Sequence, residues 1–271
     1  MNPQKNSLFS DDYLQRFGGI ARLYGLKKLQ QIHKAHVTIV GIGGVGSWSA
    51  EALARSGIQN LKLIDLDDIC TTNTNRQIHA DCHTVGQMKV EAMAKRLRAI
   101  NPEIQIEESL AFYTEKNAPS LIHSKSTDVV IDAIDSTQPK VHLLAYCKKN
   151  NIPIVCSGGA GGRIDATKIQ IDDLAKTHGD SLLSSIRTKL RTEHGFAKAQ
   201  EGKKLKKFKI PTVFSPEPPR FPTCSGEISL DKSQLDSPLI NCNSGYGAIT
   251  HITATFGLML AQLVLKQITQ E

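Results

Sequence analysis

Apolar positions along the chain change period repeatedly. HVTIVGIG (36–43) is a short β-branched run ending in glycines, which predicts a buried strand. Helical spacing follows over 45–56 and stops at Gly57, and LKLIDLD (61–67) predicts the next strand. A helix over 86–100 ends at Asn101-Pro102. IQIEESL, a helix near 115–123, DVVIDAID, a helix over 139–150 and PIVCSGG continue the alternation. Before the first strand, 13–32 reads as one or two helices. Strand and helix in alternation predict an α/β, doubly wound, mostly parallel sheet.

The pattern changes after Gly162. KIQIDDL reads as a strand and 181–193 as a helix. A basic stretch and a proline-rich patch, PTVFSPEPPRFP, come next, and an apolar helix within 248–268 closes the chain. The expected organisation is an N-terminal helical segment (1–35), a nucleotide-binding core (36–165) and a C-terminal α+β lobe (166–271) attached to the same sheet. The last apolar run, 249–265, has 17 residues and includes His251, three threonines and Gln262. It falls short of the roughly 20 apolar residues that a spanning helix requires, so a buried or dimer-interface helix is expected, not a membrane span.

Composition narrows the class. With 271 residues, 40% apolar and 22% charged, the chain has enough apolar content to fold, which excludes disorder as its main state. Six cysteines without a C-x-x-C pair predict neither a disulfide framework nor a zinc site. The first residues lack a signal-peptide pattern, and a reduced, cytoplasmic setting is expected. The net charge of +7 is concentrated: residues 187–209 hold nine basic and two acidic residues, leaving the rest formally neutral. Such a segment suits a polyanion such as RNA, or is a solvated mobile loop.

The clearest chemistry lies at Gly41-Ile42-Gly43-Gly44-Val45-Gly46. This G-x-G-x-x-G directly follows a strand and opens a helix, so Gly41, Gly43, Gly44 and Gly46 let the backbone approach phosphate at a helix N-terminus. Asp65, 22 residues after Gly43, ends the second strand where a carboxylate can accept both ribose hydroxyls. These features alone fit NAD and ATP equally. Asp67, Asn73, Asn75, Arg76, Gln77 and Lys89 then separate the two, because a triphosphate calls for added cations while pyrophosphate leaves. Arg76 grips phosphate oxygens bidentately and Lys89 supplies a compact charge. Asp132 and Asp135, in DAIDS at the carboxyl edge of the sheet, are candidates to face nucleotide and Mg2+.

GIGGVG, the D-x-D of Asp65 and Asp67, NTNRQ, the G-x-x-K ending at Lys89, and DAIDS resemble the adenylating domain of ubiquitin-activating-type enzymes. The resemblance covers about residues 16–157. It implies a Rossmann-like ATP-binding fold and a homodimer. Asp65 would bind ribose, Asn73, Arg76 and Lys89 phosphates, and Asp135 Mg-ATP. Bacterial members that activate sulfur carriers have two C-x-x-C pairs, absent here, and a cross-dimer arginine at a position occupied here within Gly18-Gly19-Ile20; Arg22 is the candidate replacement. RFGGIARLYG, NTNRQIHA, SGGAGGRID (157–165) and NCNSGYGAITHITATFG more closely resemble the tRNA threonylcarbamoyladenosine dehydratase branch.

That branch implies ATP-dependent cyclisation of threonylcarbamoyladenosine beside the tRNA anticodon, through an acyl-adenylate, with release of AMP and pyrophosphate. Arg76, Lys89 and Asp135 are the expected catalytic residues. Cys242 is a candidate acyl acceptor or a buried small hydrophobe; Cys70, Cys82, Cys147, Cys156 and Cys224 are read as structural. A monovalent cation and a sulfur-relay protein are further candidate partners. The rival readings are an activator of a small sulfur-carrier or ubiquitin-like protein, a nicotinamide-dependent oxidoreductase, and a nucleotide-sensing scaffold.

Overall fold

A computed structural model describes residues 8–123, 125–198, 205–223, 227–230 and 246–270. Helices α1 (Asp11–Tyr24) and α2 (Leu26–Lys34) precede β1 (His36–Val40), α3 (Gly46–Arg55), β2 (Asn60–Asp65), α4 (Lys89–Ile100) and β3 (Gln105–Leu110). There follow α5 (Ala118–Leu121), β4 (Val129–Asp132), α6 (Thr137–Lys149), β5 (Ile154–Ser157), β6 (Gln170–Asp173) and α7 (Ser181–Glu193). The described chain closes with β7 (Pro211–Phe214), β8 (Phe221–Pro222), β9 (Ile228–Ser229) and α8 (Thr250–Thr269).

The main sheet has the order β3-β2-β1-β4-β5-β7-β6. All its neighbours run parallel except β6 and β7. Chain direction across the sheet reverses between β1 and β4, and the carboxyl ends of these strands are where an open α/β sheet binds ligands. On one face, Val37, Ile39, Leu63 and Ile131 pack with apolar residues of α3, α4 and α8. On the other, Val40, Ile64, Val130 and Ile154 pack with α6 and α7. Burial on both faces accounts for the near-continuous apolar strands.

Three local readings change. PTVF belongs to a strand, β7, inside the sheet rather than to a proline-rich loop; Pro211 takes the strand's first position, where a missing N–H does least harm. The helix expected from residue 86 begins at Lys89, because Gly86 adopts a φ of +87° and Met88 bridges to Asp68. The strands ending LKLIDLD and DVVIDAID stop at Asp65 and Asp132, so Asp67 and Asp135 ride on loops. Within the basic segment, Arg187 donates to Thr177 Oγ1 and Arg191 lies 5.3 Å over the Phe208 ring. These two arginines therefore serve packing, whereas Lys206, Lys207 and Lys209 are exposed. Lys203 and Lys204 lie outside the described residues.

Among the described residues, α8 is the one helix long and apolar enough to cross a membrane, and half of its apolar window is buried inside the protein. Ile252, Phe256, Leu260 and Val264 face the core. Close approach to α3 depends on Gly257: a Cβ there would lie 2.6 Å from the Val45 carbonyl oxygen and 2.9 Å from the Ser49 nitrogen. Ser49 Oγ donates to the Gly257 carbonyl at 3.0 Å. Gly257→Val should therefore cost about 2–3 kcal/mol by forcing the helices apart. Urea unfolding measures it; a loss below about 0.5 kcal/mol would mean that α8 does not rest on α3.

Candidate functional site

The loop leaving β1 is built for close approach. Gly41 has a φ of +92°, and a Cβ on it would lie 2.9 Å from the Ala133 carbonyl oxygen. A Cβ on Gly46 would run into the Gly41 carbonyl. The backbone thus folds tightly onto itself ahead of α3, and a glycine loop leading from a strand into a helix N-terminus is the arrangement that receives phosphate. Asp65 fastens this loop: Oδ2 accepts the Ile42 N–H at 2.6 Å and Oδ1 the Asp67 N–H at 2.9 Å. Each carboxylate oxygen has capacity for a second hydrogen bond, so ribose hydroxyls remain compatible with the half-buried Asp65.

Beside the loop stand the cations. Lys89, the first residue of α4, pairs through Nζ with Asp67 Oδ2 at 2.7 Å. Asp67 therefore holds a lysine here. Arg76 runs its stem along Gly44, with Cγ 3.4 Å from where a Cβ would be, and donates through Nη1 to the Thr72 carbonyl and Asn75 Oδ1. Asn73 is buried, its Oδ1 accepting the Cys70 N–H at 3.1 Å to close the turn before Arg76. Gln77 is buried with Nε2 3.9 Å from a Cβ at Gly43. Asn75 is committed within the protein, donating through Nδ2 to the Ala248 carbonyl.

The two aspartates of DAIDS part company. Asp135 is exposed on the loop 133–136, which packs on the glycine loop through Ala133. Asp132 is fully buried and pairs with the equally buried Lys140 at 2.9 Å. This corrects the expectation that Asp132 faces nucleotide: alternation along β4 turns its side chain under the sheet edge. Burial opposes charge on Lys140, but Asp132 reverses the balance and raises its pKa above the ordinary lysine value.

A connection absent from the sequence reading ties this surface together. Thr250 and Thr253 of α8 donate to the carbonyls of Asn75 and Arg76. Trp48 Nε1 also donates to the Arg76 carbonyl, at 3.1 Å. The same stretch reaches the loop after β5: Gly162 N–H donates to the Gly247 carbonyl at 2.7 Å, and His251 Nε2 donates to the Ile164 carbonyl at 2.9 Å. In that loop Arg163 is buried and holds the carbonyls of Gly159 and Gly161, and Asp180 accepts the Gly159 N–H while capping α7. SGGAGGRID and GYGAITH were the sequence signals; their glycines and threonines carry no charge to mark their place.

Cys242 and Cys224 lie outside the described residues. Cys147 and Cys156 are buried, their thiols pushed up chiefly by burial. Cys70 and Cys82 are exposed, and Cys70 Sγ accepts from Thr72 Oγ1 at 3.4 Å in the turn that precedes Arg76. Among the described residues no group of three or more His, Cys, Asp or Glu could hold a metal. The lone Asp135 fits Mg2+ that arrives with phosphates, since that ion needs only one or two protein carboxylates.

The chain matches the ThiF family over residues 18–271. It is 48% identical over 261 residues to the tRNA threonylcarbamoyladenosine dehydratase of Escherichia coli K12, covering 96% of each. A solved structure titled TcdA (CsdL) superposes with a TM-score of 0.87 at 48% identity over 96% of each chain. The E. coli dehydratase in complex with ATP superposes with a TM-score of 0.81 at 46% identity, again over 96% of each.

His79 lies close to this surface and tests its desolvation. It is buried, and burial with the Lys89 charge lowers its pKa to about 4. Unfolding restores the ordinary 6.5, so this group's contribution is complete above pH 6.5 and is lost as pH falls toward 4. Between pH 7 and 5 it should remove about 2 kcal/mol of stability. His79→Gln should flatten the curve by that amount in urea titrations at the two pH values; an unchanged slope would place His79 in water.

Proposed function

The chain belongs to the ThiF family, in its tRNA threonylcarbamoyladenosine dehydratase branch, and from that premise we propose that it uses ATP to cyclise threonylcarbamoyladenosine beside the tRNA anticodon. The modification's carboxylate oxygen attacks the α-phosphorus, and the bond to pyrophosphate breaks. The ureido group then attacks the activated carbonyl, and AMP leaves with the oxygen the carboxylate has lost. A proton is released, so the nucleoside loses the atoms of one water. Ring closure is intramolecular, where effective molarities reach about 10⁵ M or more, and no enzyme nucleophile is required.

The protein's part is orientation and charge. The glycine-loop amides beyond Ile42 receive phosphate and Asp65 the ribose. Arg76 and Lys89 stabilise charge on the departing oxygens, and Asp135 would hold a Mg2+ that arrives with ATP and neutralises phosphate charge. The observation that carries this reading is a single continuous one. Asp65, Arg76 and the Asp135 loop meet one glycine loop at the carboxyl ends of β1, β2 and β4, and Lys89 joins them through Asp67. A homodimer, with the exposed Arg22 of α1 reaching across, and a cytoplasmic setting among tRNAs complete the proposal.

Incubating the protein with Mg-ATP and modified tRNA should yield AMP and pyrophosphate, and nucleoside mass spectrometry should show loss of one water. Unaltered tRNA would sink the proposal. Arg76→Ala, Lys89→Ala and Asp135→Ala should each slow pyrophosphate release by about 100-fold. Replacing Lys203, Lys204, Lys206 and Lys207 together by Ala should weaken tRNA binding and flatten its dependence on salt. A salt slope equal to that of the parent protein would assign these lysines to solvent.

A further inference from the structure

Asp132 at the end of β4 and Lys140 in the first turn of α6 are both fully buried, 2.9 Å apart. Replacing such a pair by apolar groups of similar volume is often neutral for stability, so stability alone does not account for it. Its bonds point to one residue. Asp132 Oδ1 accepts the Ile134 N–H at 3.1 Å, and Lys140 Nζ donates to the Ile134 carbonyl at 2.9 Å. Both backbone polar groups of the residue before Asp135 therefore end on this pair.

The surrounding backbone is held too. Ala133 N–H donates to the Val40 carbonyl at 3.0 Å, and the Ser136 carbonyl accepts the Lys140 N–H at 3.3 Å. The Cys156 thiol donates to Asp132 Oδ2 at 3.5 Å. Asp135 is thus an exposed carboxylate flanked on both sides by anchored peptides. An untethered loop of this kind would let that carboxylate sample many directions, and misplacement by about 1 Å is enough to slow a reaction by roughly 100-fold.

We propose that the buried Asp132–Lys140 pair positions Asp135 for Mg-ATP chemistry by fixing the peptides on both sides of Ile134. This rests on the role given to Asp135 above. Neither member of the pair touches nucleotide; both act through the loop.

The test uses the full chain carrying Asp132→Leu with Lys140→Met. The double variant should fold and bind ATP within about threefold of the parent, because the glycine loop, Asp65 and the cations are untouched. Its kcat for pyrophosphate release should fall by about tenfold or more, and the Mg2+ concentration for half-maximal rate should rise by about threefold or more. Parental kcat with a parental Mg2+ midpoint would overturn the proposal. Should the apolar pair not fold, Lys140→Arg keeps the charge but displaces the donor from Ile134. It should raise the Mg2+ midpoint similarly, and an unchanged midpoint with normal melting again overturns the idea. Asp135→Ala run in parallel separates the two claims. If it keeps parental activity, the role of Asp135 falls and takes this proposal with it. If it loses activity while the pair variants do not, the positioning claim alone is wrong.

Discussion

The two amide hydrogen bonds to Asp65 are the constraint on which this surface depends. One binds the exit of β1 to the exit of β2 through Ile42, and the other fixes the turn from Asp65 to Asp67. They also settle an electrostatic conflict. A bare carboxylate beside the glycine loop would repel an anion, but here its charge is turned onto two N–H groups. The ammonium of Lys89 sits above Asp67 in the same way, held without being removed from the site.

Buried charge recurs wherever a loop must keep one shape. Asp132 and Lys140 hold the loop after β4, and Arg163 and Asp180 hold the glycine-rich loop after β5. Glu217 accepts the Ile164 and Asp165 amides further along that loop. Such pairs give up hydration for geometry, and their net effect on stability is small compared with their effect on position. They stand at the carboxyl ends of the strands, where no regular ladder remains to direct the backbone. The hydroxyls of Thr250 and Thr253 extend the same control across the sheet to Arg76.

Elements were legible wherever one period persisted. The β-branched runs at β1, β4 and β5 and the helical spacing of α3, α4 and α7 lie close to their expected bounds. PTVF was hidden because its neighbours are proline-rich and it is only four residues long; its pairing with β5 comes from a segment more than fifty residues away. At the site, Arg76, Lys89 and Asp135 stood out by charge and spacing. Asp132 looked the same as Asp135 in sequence, and only the end of β4 distinguishes them: Asp132 is the strand's last residue, buried against Lys140, whereas Asp135 lies beyond it on an exposed loop. Lys140 gave no signal, since a lysine in a helix ordinarily reads as solvent-exposed.

What the sequence determined by itself is local: the order of strands and helices, the glycine loop and the types of charged group that surround it. Those follow from spacing, backbone freedom and side-chain chemistry within a few residues. Only the tertiary structure decided which carboxylate is buried, which asparagine is already engaged, and that α8 braces the arginine of a loop about 175 positions earlier. These outcomes depend on which groups lose water together when distant segments meet, and no short stretch of chain carries that information.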